Sequence, residues 1–316
     1  MSEQDKPTRA GFAAVIGAPN AGKSTLVNRL VGTKVSIVTQ KVQTTRFPVR
    51  GVAIVGRAQI VLVDTPGIFK PRRRLDRAMV ASAWGGAQDA EVVVHLVDVQ
   101  AQIAAAEGGA SGADKRAVED VDSIVAGLKQ AGTKAILALN KIDGIKRERL
   151  LAAADALFKT EVYSEAFMIS AATGSGVDDL ANRLAELMPE GPWLYPEDQS
   201  ADVPARVLAS EITREKLYLR VHEELPYAAA VETTSFEERR DGSVRIEQSV
   251  YVERESQRPI ILGKNGQTLK WIGQKAREEL TELLDRPVHL FLHVKVNERW
   301  QEDRALYAQF GLEYDV

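Results

Sequence analysis

From Phe12 to Met188 the chain alternates apolar runs with stretches of helical periodicity. The apolar runs predict strands at Phe12–Ile16, Pro48–Val55, Gln59–Val63, Val92–Asp98, Ala135–Leu139 and Phe167–Ser170. Between them, helices are expected near Lys23–Val31, Leu75–Ala87, Lys115–Gln130, Lys146–Phe158 and Val177–Leu187. Alternation of this kind predicts an α/β domain whose mostly parallel sheet carries helices on both faces. In such sheets ligands lie beyond the carboxyl ends of the strands.

The pattern then changes. Residues 189–198 are rich in Pro and Gly and read as a junction. The predicted division is a first domain at 1–190, a linker at 191–201 and a second domain at 202–316. The second part reads as α+β. A helix near Val203–His222 precedes alternating runs at Tyr227–Phe236 and Val244–Val252, with a hairpin signal at Arg240–Ser243. A helix–loop–helix follows around Pro259–Leu284. Val288–Val296 then puts Leu290, Leu292, Val294 and Val296 on one face and Phe291, His293 and Lys295 on the other. A last helix is expected at Glu298–Phe310.

Composition narrows the classes. The chain has 316 residues, 45% hydrophobic and 27% charged, ordinary for a soluble globular protein. It has no cysteine, which excludes disulfides, thiolate zinc sites and thiol catalysis and suits a reducing cytoplasm. No apolar run approaches the length of about 18 residues that a membrane span needs. Met1–Gly11 is too polar and short for a signal peptide or presequence. The net charge is −3, with 24 Lys+Arg against 23 Asp+Glu up to Gln199 and 17 against 21 beyond it. Nucleic-acid binding must therefore rest on a local patch.

The chemistry gathers at the predicted strand ends. Gly17-Ala18-Pro19-Asn20-Ala21-Gly22-Lys23-Ser24-Thr25 fits the phosphate-loop pattern and lies between a strand and a helix. Its glycines let backbone N–H groups turn towards a polyphosphate, and the helix N-terminus adds partial positive charge. Lys23 is expected to reach the outer phosphates and Ser24 to ligate Mg²⁺. Asp64-Thr65-Pro66-Gly67 ends the third strand: Asp64 suits a Mg²⁺-bound water and the Gly67 N–H a γ-phosphate. Asn140-Lys141-Ile142-Asp143 ends the fifth. A carboxylate at Asp143 accepts two N–H groups from the guanine edge, which adenine does not offer, and the Lys141 stem can lie on the purine. Backbone N–H groups of Ser170-Ala171-Ala172 can close over guanine O6. The nucleotide is thus GTP rather than ATP.

With these motifs in this order, the first part resembles a translation-factor-class GTPase. Gln43-Thr44-Thr45-Arg46-Phe47 makes it similar to the Era and TrmE group. The resemblance implies that Thr45 ligates Mg²⁺ in the GTP state, with Ser24 and Asp64 completing the metal set, and that Asn20 helps to hold a potassium ion. It also makes Lys23, Thr45 and Gly67 the catalytic set. Ile68 stands where Ras-like enzymes carry a water-orienting Gln, and Ile cannot make a hydrogen bond, so basal hydrolysis should be slow. Lys70, Arg72, Arg73 and Arg74 crowd the second switch, where a solvated loop is the plainer reading than an RNA contact. Residues 104–116, rich in small residues, are longer than the family's loop and read as a flexible surface insertion without assignable role.

In the second part, Ile261-Leu262-Gly263-Lys264-Asn265-Gly266, running on to Ile272-Gly273, resembles a type II KH domain, whose Gly-x-x-Gly loop clamps single-stranded nucleotides. The resemblance puts Gly263, Lys264, Asn265 and Gly266 at the phosphates and Ile261, Leu262 and Ile272 beside the bases. The charges supply a local basic stripe of Arg254, Arg258, Lys264, Lys270, Lys275 and Arg277. The acidic surplus lies elsewhere, at Glu223, Glu224, Glu237 and Glu238.

GTPase and KH domains so joined resemble the Era family over residues 9–316. Membership implies a monomeric GTP switch that binds small-subunit ribosomal RNA near its 3′ end and assists assembly of the 30S subunit. Some members associate peripherally with the cytoplasmic face of the inner membrane, although no amphipathic anchor is evident here. Two alternatives stay open: an RNA chaperone timed by nucleotide state, and a GTPase serving RNA modification.

Overall fold

The computed structural model describes residues 7–39, 41, 43–221 and 225–316. It divides into two compact units. Of the described residues, the first comprises 7–36, 43–202 and 310–316, and the second 37–39, 41, 203–221 and 225–309.

The first unit is built on a six-stranded sheet in the order β2-β3-β1-β4-β5-β6. Its strands are β1 (Arg9–Ile16), β2 (Val49–Val55), β3 (Ala58–Asp64), β4 (Val92–Asp98), β5 (Ala135–Asn140) and β6 (Tyr163–Met168). All neighbours pair in parallel except β2 and β3, an antiparallel pair closed by a two-residue turn at Gly56 and Arg57. The helices are α1 (Lys23–Val31), α2 (Arg74–Gln88), α3 (Val99–Ala106), α4 (Gly112–Ala131), α5 (Arg147–Phe158) and α6 (Val177–Leu187). Every residue of β5 is buried. Its Leu137 and Leu139 pack with Ile16, Val97, Ile124 and Leu128 in one core layer. That rigid centre is what fixes the strand ends bearing the motifs.

Residues 191–201, expected as a linker, run along the edge of this sheet. Val52 N–H donates to the Ser200 carbonyl at 2.9 Å and Asp202 N–H to the Arg50 carbonyl at 3.0 Å. The buried Gln59 amide is met by the same stretch: its Oε1 accepts from Leu194 and Tyr195 N–H and its Nε2 donates to the Tyr195 carbonyl. The closing residues 310–316 also belong to this unit. Phe310 stacks on Phe47 with centroids 5.1 Å apart, and the Arg74 guanidinium lies 4.4 Å from the Tyr314 ring centroid.

The second unit holds α7 (Ala205–Arg220), β7 (Ala229–Glu238), β8 (Val244–Val252), α8 (Arg258–Leu262), α9 (Gln267–Leu284), β9 (Val288–Val296) and α10 (Arg304–Gln309). β7 and β8 are antiparallel, β8 and β9 parallel. The hairpin turn forms as its sequence predicts. Asp241 Oδ1 accepts from Ser243 N–H and Oγ, and Gly242 takes φ 82°. Leu217, Val231, Val250, Ile261 and Ile272 share one core.

The sequence reading needs correction in several places. Residues 104–116 are not a flexible insertion: α3 runs to Ala106, and α4 begins at Gly112 behind a capping box of Ser111 and Asp114. Ala-rich sequence is strongly helix-forming, and Ser-x-x-Asp is a helix start. The sixth strand starts at Tyr163 rather than Phe167, because at the sheet edge Ser164 and Glu165 tolerate exposure that an inner strand would not. The last helix is broken into a 3-10 turn, Trp300–Glu302, and α10, with the Trp300 indole donating to the Ala228 carbonyl at 3.1 Å. α7 opens after Pro204 and ends at Arg220. The expected extension to His222, and the acidic positions Glu223 and Glu224, lie outside the described residues.

Candidate functional site

The phosphate loop leaves β1 and closes on α1, whose first residue is Lys23. Two of its contacts require glycine. A Cβ on Gly17 would stand 2.4 Å from the Leu96 carbonyl oxygen, and one on Gly22 2.4 Å from the Asn140 amide nitrogen. The loop thereby nests against the ends of β4 and β5. Asn20 sits exposed at its crest in left-handed backbone, φ 62°. Pro19 meets Gly67, where a Cβ would come within 2.9 Å of the proline ring, and Ile68 N–H donates to the Gly17 carbonyl at 3.1 Å.

Lys23 is buried, its ammonium donating to the Gly17 carbonyl at 3.1 Å and the Ala18 carbonyl at 2.9 Å. Burial lowers its pKa to about 8, against the raising fields of Asp64 and Asp120. The sequence-predicted metal set converges from three separate segments. Ser24 Oγ lies 2.9 Å from Thr45 Oγ1, and Thr45 Oγ1 donates to Asp64 Oδ2 at 3.2 Å. Asp64 is fully buried, and burial raises its pKa, opposed by Lys23 and by hydrogen bonds from Ser24 and Thr45. Its Oδ1 has no hydrogen-bond partner among the described residues.

Thr65 differs from its neighbours. Its hydroxyl donates to the Val15 carbonyl at 2.8 Å, so its side chain ties β3 to β1 rather than facing the loop. Pro66 is buried beside it. Ile68 is 3% exposed and packs into the sheet core.

The base-side residues form a lattice. Asn140, 2% exposed, donates to the Ala21 carbonyl at 2.8 Å and accepts from Ala171 N–H at 2.9 Å. It thereby pins the phosphate loop to the loop after β6. Asp143 Oδ2 accepts from Ser170 Oγ at 3.0 Å, and Ser170 Oγ accepts from Thr173 N–H at 3.1 Å. Lys141 takes left-handed backbone, φ 66°, and pairs with Asp98 at 2.6 Å.

Sequence reasoning missed two contributors here. Asp98 also caps α3 through Gln100 N–H at 3.0 Å, so one carboxylate fixes both a helix start and the Lys141 ammonium. Asp98 ends β4 in register with Asn140 of β5, a neighbour the sheet and not the sequence supplies. Arg29 of α1 donates to the Ala171 carbonyl at 3.3 Å and to the Ala172 carbonyl, holding the loop that is expected to cover the base. An arginine on a helix gives no local sign of such a contact.

In the second unit, Gly263 (φ 72°), Asn265 (φ 54°) and Gly266 (φ 74°) turn the chain sharply between α8 and α9. A Cβ at Gly263 would fall 2.2 Å from Thr268 Oγ1, so only glycine fits there. Lys264, Asn265 and Lys270 are exposed. An open groove of about 380 Å³ runs from this turn between α9 and β9, lined by Gly266, Leu269, Lys270, Arg277, Leu290 and Leu292 among others.

Three expected contacts lie elsewhere. Ile261 and Ile272 are fully buried in the core and cannot face a base. Lys275 is not among the residues that line the groove and pairs with Glu278 at 2.7 Å. Leu269, Leu290 and Leu292 supply the apolar wall instead, and Arg277 the second cation. The helical period of α9 carries this signal: positions 266, 269, 270, 273, 274 and 277 share one face, from which 275 is excluded.

Comparison with known proteins agrees with both halves. Residues 12–141 match the family described as 50S ribosome-binding GTPase, and residues 224–301 match the KH domain. The chain is 70% identical to GTPase Era of Caulobacter vibrioides (strain NA1000 / CB15N) over all of both chains. It is 60% identical to GTPase Era of Maricaulis maris over 99% of each. Two solved structures, each 36% identical, are similar over 98% of this chain and 100% of theirs. A variant of Aquifex aeolicus Era bound to GDP·AlF4⁻ gives a TM-score of 0.84. Era in complex with MgGDPNP and nucleotides 1506–1542 of 16S ribosomal RNA gives 0.85. With such identity over its full length, the chain belongs to the Era family of GTPases.

Proposed function

We propose that residues 17–25 cradle the phosphates of GTP, with Gly67 facing the γ-phosphate and Asn140, Lys141, Asp143 and 170–172 enclosing the guanine. The observation that carries this reading is the meeting of Ser24, Thr45 and Asp64, from a helix start, a loop and a strand end, at hydrogen-bond distance. Two hydroxyls and a carboxylate are hard oxygen donors of the kind Mg²⁺ takes, and the buried, unpartnered Asp64 Oδ1 suits an ion or its bound water. Bound there, Mg²⁺ neutralises charge on the phosphates.

The chain's own groups do the rest. The Lys23 ammonium, inside the loop, balances charge building on the transferred phosphoryl, together with loop N–H groups. Water attacks in line, and no side chain at position 68 orients it, so hydrolysis is slow. Asp143, steadied by Ser170, accepts the two N–H groups of guanine. Loss of the γ-phosphate frees Thr45 and Gly67, which relaxes the segments that carry them.

The groove beside Gly263 is read as the seat of single-stranded RNA, with backbone at the 263–266 turn and bases against Leu269, Leu290 and Leu292. The relative that binds 16S ribosomal RNA resembles this chain over 98% of its length, whereas the description naming the 50S subunit covers residues 12–141 alone. The target is therefore read as small-subunit ribosomal RNA near its 3′ end, and the role as assistance in 30S assembly. Among the described residues no helix is long and apolar enough to cross a membrane. Action in the cytoplasm, with or without peripheral association with the inner membrane, and as a monomer, completes the reading.

The test is GTP hydrolysis by the full chain with and without an RNA oligonucleotide of the 16S 3′ end. Slow hydrolysis that this RNA stimulates supports the reading. Hydrolysis unaffected by RNA that nonetheless binds would make the protein an RNA chaperone timed by its nucleotide.

A further inference from the structure

Two segments outside the phosphate loop reach the proposed GTP site: the one ending in Thr45, and the one running from Gly67 into α2. They meet at a residue that belongs to neither motif. Asp76, the third residue of α2, is 6% exposed. Its Oδ2 accepts the backbone N–H groups of Arg72 and Arg73, both at 3.0 Å. Its Oδ1 accepts the Gln43 side-chain amide at 3.1 Å. Gln43 lies two residues before Thr45 and holds a left-handed backbone, φ 57°, a conformation disfavoured for a residue with a Cβ.

We propose that Asp76 is a positioning residue that couples the two switch segments, so that the Thr45 and Gly67 loops close on GTP, and release, as one. The proposal rests on the reading of 17–25, Thr45 and Gly67 as the GTP site. The physical cause is the cost of burying an anion. A sheltered carboxylate must be met by donors, and here the donors come from both loops. If the Thr45 segment withdraws, Asp76 loses the Gln43 amide. If the Gly67 segment unwinds, it loses two backbone donors. Either departure leaves a buried carboxylate short of partners, so each loop is most stable when the other is in place.

A helix cap alone would explain the contacts to Arg72 and Arg73 and nothing about Gln43. Gln43 therefore discriminates. The two variants Gln43→Ala and Asp76→Ala, their combination, and Asp76→Asn are compared in the full chain with Mg²⁺. The readout is the affinity for a non-hydrolysable GTP analogue divided by that for GDP, together with the melting temperature. Gln43→Ala should lower the ratio about tenfold, the size of a weaker charge-assisted hydrogen bond, while leaving the α2 cap and the melting temperature intact. Asp76→Ala should lower the ratio at least as far and also lower the melting temperature. The double variant should be no worse than Asp76→Ala, and Asp76→Asn, which keeps one acceptor oxygen, should lie between.

An unchanged ratio in Gln43→Ala, with Asp76→Ala lowering only the melting temperature, would reduce Asp76 to a cap and overturn the proposal. Losses that multiply in the double variant would show that the two residues act separately, and would overturn it as well. A native chain that binds neither nucleotide would instead refute the GTP site on which the proposal rests.

Discussion

At the proposed nucleotide site the polar side chains bind mostly to one another and to backbone. Asn140 bridges two loops, Asp98 holds both a helix and Lys141, and Asp143 is steadied by Ser170. At the groove of the second unit the arrangement is reversed: Lys264, Asn265 and Lys270 are exposed, and the fixed parts are a strained turn and an apolar wall. A small rigid nucleotide rewards preorganised donors and acceptors, because each mismatch leaves a buried group unpaired. A flexible RNA strand is gripped through its phosphates by mobile cations and through its bases by packing. Substitutions should accordingly be sharp and selective in the first region and graded in the second.

The largest effect is expected at Asp143. Asp143→Asn exchanges an acceptor for a donor against the guanine edge and should lower GTP affinity about 10³-fold while improving that for xanthosine triphosphate. Retained preference for GTP, read by competition binding, would show that base recognition lies elsewhere.

Gly263→Asp comes next. It places a Cβ and a carboxylate where the turn already crowds Thr268, and should weaken RNA binding about 10²-fold or more with GTP affinity untouched. Equal RNA affinity in filter binding would remove the turn from the site.

Graded loss is expected along the groove. Lys270→Ala and Arg277→Ala should each weaken RNA binding several-fold, by about 0.5–1.5 kcal/mol, and reduce the salt dependence by about one counterion. Lys275→Ala, on the other side of α9, should do neither. If Lys275→Ala proved the most damaging of the three, the groove assignment would fail.

A separate effect, on stability and not on binding, concerns pH. The His95 imidazole is fully buried, and burial, with the field of Lys23, holds its pKa down at about 3. Its ring bonds the Tyr163 hydroxyl at 2.8 Å. In the unfolded chain it titrates near about 6.5. Between those values the unfolded state binds the extra proton, so this residue makes the fold less stable as pH falls below about 6.5. His95→Gln should cancel about 2 kcal/mol of the loss between pH 7 and 5, measured by denaturant unfolding. A stability difference between native and variant chains that stays constant with pH would contradict it.

The same contrast explains what the sequence disclosed. The phosphate-loop fold was legible because backbone geometry demands particular residues at fixed spacing: glycine where Leu96 and Asn140 approach, Lys and Ser at the helix start. The strand and helix order followed from apolar periodicity. The groove was half legible. The glycines at 263 and 266 announce the turn, but which lysine lines the groove depends on rotation about α9, and Ile261 and Ile272 are hidden by tertiary packing. Asp98 and Arg29 were missed because they act on other side chains and carbonyls across the sheet end. The 104–116 stretch was misread because alanine-rich sequence looks featureless while being helix-prone.

The proposed reading, a GTP switch that binds RNA, requires that the nucleotide in the first region govern RNA binding in the second. Its most direct test is the affinity of the full chain for a 16S 3′-end oligonucleotide, measured once at saturating GDP and once at saturating non-hydrolysable GTP analogue. Tighter binding with the GTP analogue is predicted, and equal affinity in the two states would contradict the account.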